Sequence, residues 1–183
     1  MKIREERLNP VLENLKRGGP AIILPKDIGQ IIAYTNIGKE SICVEAGTGS
    51  AFLTVSLANI CKKVYTYEKD ERFVKFAKEN IKRSLLNNIE IKQRDVIEKG
   101  FDEKNADLVV LDMPNAEKAV LYARKVLKKG RFLVGYLTNI EQVKDFVKEC
   151  ENEQFQNTFT LETIQREYLV KDKGTRPVHK GLI

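Results

Sequence analysis

The most constraining feature of this sequence is a glycine-rich turn between a short apolar run and a segment with a helical apolar pattern. The turn comprises residues 44–51, Val-Glu-Ala-Gly-Thr-Gly-Ser-Ala. Residues 41–44 are typical of a buried strand, and residues 52–60 have apolar side chains at helical spacing. Glycines let the backbone approach a ligand closely, and the free N–H groups of a first helical turn face that ligand. The pattern therefore predicts a cradle for a nucleotide-like ligand.

Two acidic residues strengthen this prediction, since a lone Gly-x-Gly also occurs in surface turns. Glu45 lies just before the first glycine, and Glu68 ends the next apolar run. An acid roughly 20 residues beyond the turn is where such folds hold ribose hydroxyls. Phe52 occupies the third glycine position of a dinucleotide fingerprint, so a dinucleotide fits poorly. The pattern instead resembles motif I of the S-adenosylmethionine-dependent methyltransferases, a class with a Rossmann-like seven-stranded sheet.

Segments typical of strands and helices alternate from residue 41 onward. Strands are predicted at 41–46, 63–68, 89–94, 106–111 and 131–136, and helices at 50–59, 71–84, 116–127 and 140–149. Repeated βα units indicate a parallel sheet with helices on both faces. Two closing strands, 158–170 and 178–183, have no helix between them and predict an antiparallel C-terminal strand. The expected fold is α/β, a Rossmann-like class I methyltransferase with a mostly parallel seven-stranded sheet.

The chain length of 183 residues suits one domain. We expect an N-terminal extension at 1–20, with a short amphipathic helix that docks on the domain or on a partner, and a methyltransferase domain at 21–183. A further helix is expected from Asp27 to Gly38. No apolar run approaches the ~20 residues that span a bilayer, and the N-terminus does not resemble a signal peptide. We therefore expect a cytoplasmic protein.

Composition bears on partners and metals. The net charge of +6 permits nucleic-acid binding, although a lysine-rich surface explains it equally well. The three cysteines are scattered, without Cys-x-x-Cys spacing. This argues against a disulfide framework or a zinc site, and no metal is expected.

Acidic residues follow four successive predicted strands: Glu45, Glu68, Asp95 and Asp112. Ligands of doubly wound sheets bind at the carboxyl ends of the strands. Each acid alone would more often be structural, but together they suit a ligand with a ribose diol, an adenine amine and a positive sulfonium.

Individual contacts to such a ligand can be assigned from these positions. Glu68 is expected to accept both ribose hydroxyls, and Asp95 the adenine amine. The Val96 N–H is then available to a ring nitrogen. Phe73 either packs on the adenine face or belongs to the core of its helix.

The sequence Asp112-Met113-Pro114 follows the fourth predicted strand. Proline makes a rigid turn, which would fix the preceding polar side chain beside the methyl group. A carboxylate at this point accepts a hydrogen bond from an N–H group of a substrate. The alternative is an N-cap for the next helix, a role that Asn115 could also fill.

Several motifs occur in an order and at spacings that are similar to those of the T-loop tRNA (adenine-N1)-methyltransferases, the TrmI family. The resemblance runs from about Gly18 to the C-terminus. The motifs are Pro25-Lys26-Asp27-Ile28-Gly29, the turn at 45–50, Leu111-Asp112-Met113-Pro114, Tyr136 followed by residues 139–143, and Arg176-Pro177 with His179-x-Gly181.

The resemblance implies methyl transfer from S-adenosylmethionine to N1 of a T-loop adenine, at position 58 with position 57 as a second candidate. It implies Asp112 and Tyr136 as catalytic residues, tRNA as partner and a homotetramer. The candidate cofactor contacts are Glu45, Gly47, Thr48, Gly49, Ser50, Ala51, Phe52, Leu53, Glu68, Phe73, Asp95, Val96 and Asp112. The candidate substrate contacts are Lys26, Tyr136, Arg176 and His179.

The sequence also departs from the family pattern. Only about two dozen residues precede the Pro25 motif, so the β-rich N-terminal domain that family members usually carry is expected to be absent. Ala51 replaces the third motif I glycine, and it can supply a backbone N–H in the same way if its φ is negative.

Two other functions stay open at this point. A small-molecule methyltransferase of the same fold, such as a decarboxylating precorrin methyltransferase, has a similar length. A non-catalytic methyltransferase-like subunit is the third possibility, although such subunits typically lose motif I or the catalytic acid, and both are present here.

Overall fold

The computed structural model describes residues 10–178 and contains one five-stranded parallel sheet and a separate two-stranded antiparallel sheet. The parallel strands have the order β3-β2-β1-β4-β5. Their bounds are Ile42–Ala46 (β1), Lys63–Glu68 (β2), Ile89–Gln93 (β3), Ala106–Leu111 (β4) and Leu127–Gly135 (β5). The antiparallel pair is Tyr168–Lys171 (β6) with Gly174–Pro177 (β7).

Helices precede, connect and follow the parallel strands. Their bounds are Pro10–Glu13 (α1), Pro25–Thr35 (α2), Phe52–Ala58 (α3), Glu71–Ser84 (α4), Val96–Lys99 (α5), Val120–Val126 (α6) and Ile140–Asn152 (α7), with a 3₁₀ segment at Ala116–Ala119. Strands β2 and β4 and helix α4 have the predicted bounds, and the other predicted helices and parallel strands are present with shifted ends. Helix α2 ends before Gly38 because Asn36 adopts a left-handed conformation at its C-cap.

The core surrounds the two central strands. Every residue of β4 is buried, as are the last four residues of β1. Such continuous burial, here mostly of apolar side chains, is expected of parallel strands that are covered on both faces. The strand order changes direction between β1 and β4, which is the point where ligands of open α/β sheets bind.

The seven strands do not form the predicted single sheet. The strand expected at 158–170 is limited to β6, and residues 158–167 have no regular structure. Phe159, Leu161 and Ile164 alternate in apolar character but are exposed, so no sheet face buries them. The other predicted closing strand begins at Val178, which is not in a strand, and its remaining residues lie outside the described part of the chain.

The N-terminal segment packs against the domain. Leu12, on α1, and Leu15 are buried against Phe52 and Val55 of α3. Residues 1–9 of the expected N-terminal extension lie outside the described part of the chain. Within residues 10–178, no helix is long and apolar enough to cross a membrane. The three cysteines are free thiols and are buried.

Candidate active site

A cavity of about 330 Å³ opens at the carboxyl ends of the parallel strands. Its walls come from the ends of β1, β2 and β4, from residues 20–23, and from the beginnings of α3, α4 and α5. Twelve of the thirteen predicted cofactor contacts border it: Glu45, Gly47, Thr48, Gly49, Ser50, Phe52, Leu53, Glu68, Phe73, Asp95, Val96 and Asp112. The four strand-end acids thus surround one space, as the sequence predicts.

Backbone hydrogen bonds hold the glycine turn against β2. The N–H groups of Gly47 and Thr48 donate to the Tyr67 carbonyl at 2.9 and 3.3 Å. Gly47 has a φ of +93°, and a Cβ at this position would lie 1.8 Å from the Asp112 carbonyl oxygen. Only glycine permits this approach, which brings the turn directly against the end of β4.

Ala51 is the predicted cofactor contact that does not line the cavity. Its φ is +62°, not negative, and its N–H donates to the Thr48 carbonyl at 2.7 Å. The residue is completely buried at the N-cap of α3. Its backbone N–H is therefore engaged within the turn and is not available to a ligand, which corrects the prediction for this residue.

Glu45 is a buried carboxyl group with hydroxyl partners. One of its oxygens, Oε2, accepts hydrogen bonds from Thr54 Oγ1 at 2.5 Å and from Thr66 Oγ1 at 2.9 Å. The Thr66 hydroxyl in turn lies 2.6 Å from that of Thr48 in the glycine turn. Burial raises the pKa of Glu45 to about 8, against the opposing effect of the two hydroxyl donors, and the nearby Asp112 and Glu68 carboxylates raise it further.

Glu68 and Asp95 each use part of their hydrogen-bonding capacity on the backbone. Glu68 accepts the Gly49 N–H at 3.1 Å on Oε2 and the Asp70 N–H at 3.0 Å on Oε1. Asp95 caps α5 by accepting the Ile97 N–H at 2.9 Å. A carboxylate oxygen has two lone pairs, so Glu68 retains acceptor capacity on both oxygens for a diol, and Asp95 retains it for an amine.

Asp112 differs from the other three acids because its carboxylate has no hydrogen-bond donor among residues 10–178. Burial raises its pKa to about 7, and the Glu68 carboxylate contributes in the same direction. It does not cap the following helix, because the 3₁₀ segment begins after Asn115, which is itself left-handed and makes no side-chain cap bond. A partly buried carboxyl group that accepts no hydrogen bond within the described part of the chain is suited to a partner supplied by a ligand.

Tyr136 lies beside Asp112 at the end of the neighbouring strand. Its N–H donates to the Leu111 carbonyl at 3.0 Å, which continues the β4–β5 pairing. Its hydroxyl donates to Asp27 Oδ2 at 3.1 Å. Burial, with the charges of Asp27 and Asp112, raises the pKa of Tyr136 to about 12. The two predicted catalytic residues are therefore neighbours.

The predicted substrate contacts are more dispersed. Lys26 Nζ donates to both Asp27 carboxylate oxygens, at 2.7 and 2.9 Å, and to the Thr163 carbonyl at 2.7 Å. These three bonds use all of its donors, so Lys26 is not free to hold phosphate. Arg176 is exposed on β7 and does not border the cavity. His179 lies outside the described residues.

The sequence did not indicate that residues 20–23 form one wall of the cavity. Two contacts hold the adjoining backbone: Ser50 Oγ donates to the Pro20 carbonyl at 3.1 Å, and Asn80 bonds to both Lys16 and Ser50. Asn80 Nδ2 reaches the two carbonyls at 3.0 and 2.9 Å, and its Oδ1 accepts the Lys16 N–H at 2.8 Å. Asn80 is fully buried in α4, and an asparagine on the buried face of an amphipathic helix is the signal that could have revealed it.

Comparison with known proteins identifies the family. The family model for the tRNA methyltransferase complex GCD14 subunit matches residues 16–181. This chain belongs to the GCD14 family. Among curated relatives of this GCD14-family chain, the tRNA (adenine(57)-N(1)/adenine(58)-N(1))-methyltransferase TrmI of Methanocaldococcus jannaschii is 38% identical, with 94% of this chain and 71% of that protein covered. The family resemblance seen in the sequence is confirmed.

Solved structures agree with the fold of this GCD14-family chain. An S-adenosylmethionine-dependent O-methyltransferase from Thermotoga maritima has a TM-score of 0.85 at 29% identity, with 93% of this chain and 65% of that chain covered. The tRNA (m1A58) methyltransferase TrmI from Aquifex aeolicus has a TM-score of 0.83 at 27% identity, with coverages of 94% and 69%. The Rossmann-like methyltransferase fold is confirmed, and the chain spans about two thirds of the length of these proteins.

Proposed function

We propose that this chain transfers a methyl group from S-adenosylmethionine to N1 of an adenine in the T-loop of tRNA, at position 58 with position 57 as a second candidate. The observation that carries the proposal is the unpartnered Asp112 carboxylate at the edge of a cavity bordered by three further strand-end acids. Membership of the GCD14 family and the named activity of the relatives support tRNA over a tetrapyrrole or another small molecule as the substrate.

The residues around the cavity fit S-adenosylmethionine chemically. Glu68 has free lone pairs for the ribose hydroxyls, and Asp95 has them for the adenine amine, with Phe73, Val96 and Ile97 as apolar neighbours. Ionised Asp112 places negative charge where a sulfonium or an ammonium group would be stabilised, whereas Glu45, with its pKa raised to about 8, is largely uncharged at neutral pH. We propose the cavity residues Gly47, Thr48, Gly49, Ser50, Phe52 and Leu53 as the remaining contacts, and omit Ala51.

When bound, S-adenosylmethionine supplies an electrophilic methyl group on a positively charged sulfur. The carboxylate of Asp112 accepts a hydrogen bond from the exocyclic amine of the adenine, and so orients N1 toward the methyl group. The same carboxylate stabilises the positive charge that develops on the ring as N1 forms its new bond. Correct positioning of the two reacting atoms, about 3 Å apart, supplies most of the acceleration.

The target base must leave its pairing in the folded T-loop to reach this cavity, at a cost of a few kcal/mol. Tyr136, next to Asp112, is the aromatic side chain that we propose contacts the extruded base, either by stacking or through its hydroxyl. We keep Arg176 as a candidate phosphate contact and His179 as a candidate substrate contact.

We also propose a homotetramer that acts in the cytoplasm, and a methyltransferase domain at residues 21–183 on which the preceding segment packs. Exposed apolar side chains after α7, including Phe159 and Ile164, support self-association. The ring of Phe159 lies 5.2 Å from that of the exposed Tyr34 on α2, so these apolar residues extend over more than one element.

The decisive experiment incubates the protein with unmodified tRNA and S-adenosylmethionine and analyses the nucleosides by mass spectrometry. We expect 1-methyladenosine with the wild type and a loss of roughly 10³-fold or more in rate with Asp112→Ala, because the orienting acceptor is removed. The matched control is Asp145→Ala on α7, an exposed aspartate that does not border the cavity.

Binding of S-adenosylmethionine to Asp112→Ala, measured by calorimetry, should persist and show that the cavity is intact. Full methylation activity in Asp112→Ala would remove this residue from the mechanism. An absence of methylated tRNA with the wild type, together with binding of S-adenosylmethionine, would favour a different acceptor substrate.

A further inference from the structure

We infer that Asp27 is a positioning residue that fixes the Tyr136 hydroxyl as a hydrogen-bond acceptor toward the amino group of the target base. The Asp27 carboxylate, at the start of α2, accepts a hydrogen bond from the Tyr136 hydroxyl, and Lys26 contacts the same carboxylate. The inference rests on the proposed function, because it specifies how that site recognises an adenine.

The direction of the Tyr136 hydrogen bond is decided by the chemistry of its partner. A phenol has one O–H donor and two acceptor lone pairs, whereas an ionised carboxylate only accepts. The Tyr136 hydroxyl lies 3.1 Å from Asp27 Oδ2, so its single proton points at Asp27. The phenol oxygen can then only accept from any group on its other side.

Lys26 fixes the carboxylate that receives this proton. Its ammonium contacts both oxygens of Asp27, and the Thr163 carbonyl anchors the ammonium in turn. The Lys26 and Asp27 side chains are 24% and 13% exposed, which shields the ion pair from water more than a surface pair. Asp27 therefore has one oxygen in a fixed position for Tyr136.

Tyr136 and Asp112 are neighbours at the ends of two adjacent parallel strands. Leu111 pairs with Gly135, the Tyr136 N–H donates to the Leu111 carbonyl, and the Asp112 charge raises the pKa of Tyr136. Neither the Asp112 carboxylate nor the Tyr136 phenol oxygen accepts a hydrogen bond from a donor within residues 10–178. These two acceptors are the pair that the proposal assigns to one substrate group.

Two acceptors match an exocyclic amine, because the amine has two N–H donors. They disfavour a base with a carbonyl at the same ring position, because a carbonyl oxygen is itself an acceptor. A site that hydrogen-bonds a substrate amine rejects analogues that lack it, because its own polar groups would be left unpaired. Asp27 would act through Tyr136 in this discrimination, without contacting the base.

The test compares wild type, Asp27→Asn, Tyr136→Phe and the double variant on T-loop RNA that carries either adenine or unsubstituted purine at the target position. In Asp27→Asn the amide oxygen is expected to face the Lys26 ammonium, so the amide N–H faces Tyr136 and the phenol proton turns toward the base. The exposed Asp145→Asn is the matched control and should behave like wild type.

We expect Asp27→Asn to lower kcat/KM for the adenine RNA by roughly ten- to a hundredfold and to reduce the preference for adenine over purine by about tenfold or more. Tyr136→Phe should give a similar loss, and the double variant should lose no more than about twofold beyond either single variant. The KM for S-adenosylmethionine should stay within about twofold, since neither residue borders the donor cavity.

A second readout does not depend on catalysis. Removal of the Asp27 charge should lower the pH at which one tyrosine ionises in an ultraviolet titration, and this change should be missing in the Tyr136→Phe background. Suppose that the wild type is active, that the activity losses of the two single variants multiply in the double variant, and that the preference for adenine is unchanged. This result would overturn the inference about Asp27 but leave the proposed function intact. A wild type that does not methylate tRNA would overturn the proposed function, and with it the substrate role of Asp27.

Discussion

Asp112 is the side chain for which we propose the central role, because its surroundings leave its carboxylate without a hydrogen-bond donor among residues 10–178. The other cavity acids discussed above accept hydrogen bonds from the protein, and Asp112 accepts none from the described residues. Burial and the Glu68 charge raise its pKa from 3.8 to about 7, so a substantial fraction is protonated at neutral pH. Since only the ionised form carries the charge that attracts a sulfonium, and it accepts an N–H more strongly than the protonated acid does, activity should depend on this ionisation.

We predict that kcat/KM for S-adenosylmethionine rises with pH and reaches its plateau above about pH 7. The sign follows because a carboxyl group whose pKa is raised is protonated, and thus inactive, at pH values below that pKa. Glu45 has a pKa of about 8 and titrates nearby, so the assignment needs a variant. In Asp112→Asn the activity should fall roughly a hundredfold or more and the rise near pH 7 should disappear. A rise that persists in this variant would assign it to another group.

At the scale of elements, the contact between the glycine turn and the end of β4 sets the shape of the cavity. Gly47→Ala would introduce a Cβ against the Asp112 backbone at a φ that alanine disfavours. We predict that the free energy of unfolding falls by roughly 2–4 kcal/mol and that S-adenosylmethionine binding is lost, because the turn must move away from β4. Thermal unfolding and calorimetry check the two effects.

Gly29→Ala is the matched control for this prediction. Gly29 lies within α2, and a Cβ there would meet no atom within 4 Å. Alanine favours helices more than glycine does, so this variant should be neutral or stabilised by up to about 1 kcal/mol. If both variants unfolded at the same temperature and bound S-adenosylmethionine equally, the close approach of Gly47 to the Asp112 backbone would have no energetic role.

The sequence predicts some of the secondary-structure elements better than others. The parallel strands and their terminal acids followed from apolar runs, because a strand buried on both faces needs only its own residues to be recognised. The strand predicted from the alternation of Phe159, Leu161 and Ile164 was wrong for most of its length. A half-buried strand needs a neighbouring strand to bury one face, and the sequence does not specify that neighbour. The predicted cofactor contact of the Ala51 N–H was wrong for a local reason, since the positive φ of Ala51 depends on how the turn closes onto Thr48.

The same distinction applies to the site. Glu68 and Asp95 could be placed because each acid directly follows a recognisable strand. The role of Lys26 could not be foreseen, because its partner Thr163 is far away in the chain and belongs to a segment without regular structure. Asn80 likewise joins Lys16 to Ser50 through contacts that span 64 and 30 residues. Long-range polar contacts leave little periodic signal in a sequence.

At the scale of the whole molecule, the two proposed substrates, tRNA and S-adenosylmethionine, would meet parts of the protein with different charge. The chain has 32 basic and 26 acidic residues, whereas the donor cavity is bordered by five carboxylate side chains, Glu45, Glu68, Asp70, Asp95 and Asp112. Lys69 and Arg94 also border the cavity, so basic residues lie both around it and elsewhere on the chain. Under the proposed function these basic residues hold the RNA phosphates, and phosphate contacts release counterions that salt replaces. The carboxyl groups of the cavity are buried or half-buried, so salt screens them less than it screens exposed charges.

We predict that an increase in salt from about 50 to about 200 mM raises the KM for tRNA roughly tenfold or more and changes the KM for S-adenosylmethionine by less than about twofold. Steady-state methylation assays at constant pH, with one substrate varied at each salt concentration, measure both values. Thermal unfolding over the same salt range provides the control, because a large change in stability would confound the comparison. Equal salt dependence of the two KM values would mean that tRNA is not held mainly through its phosphates, and the excess of positive charge would then have another role.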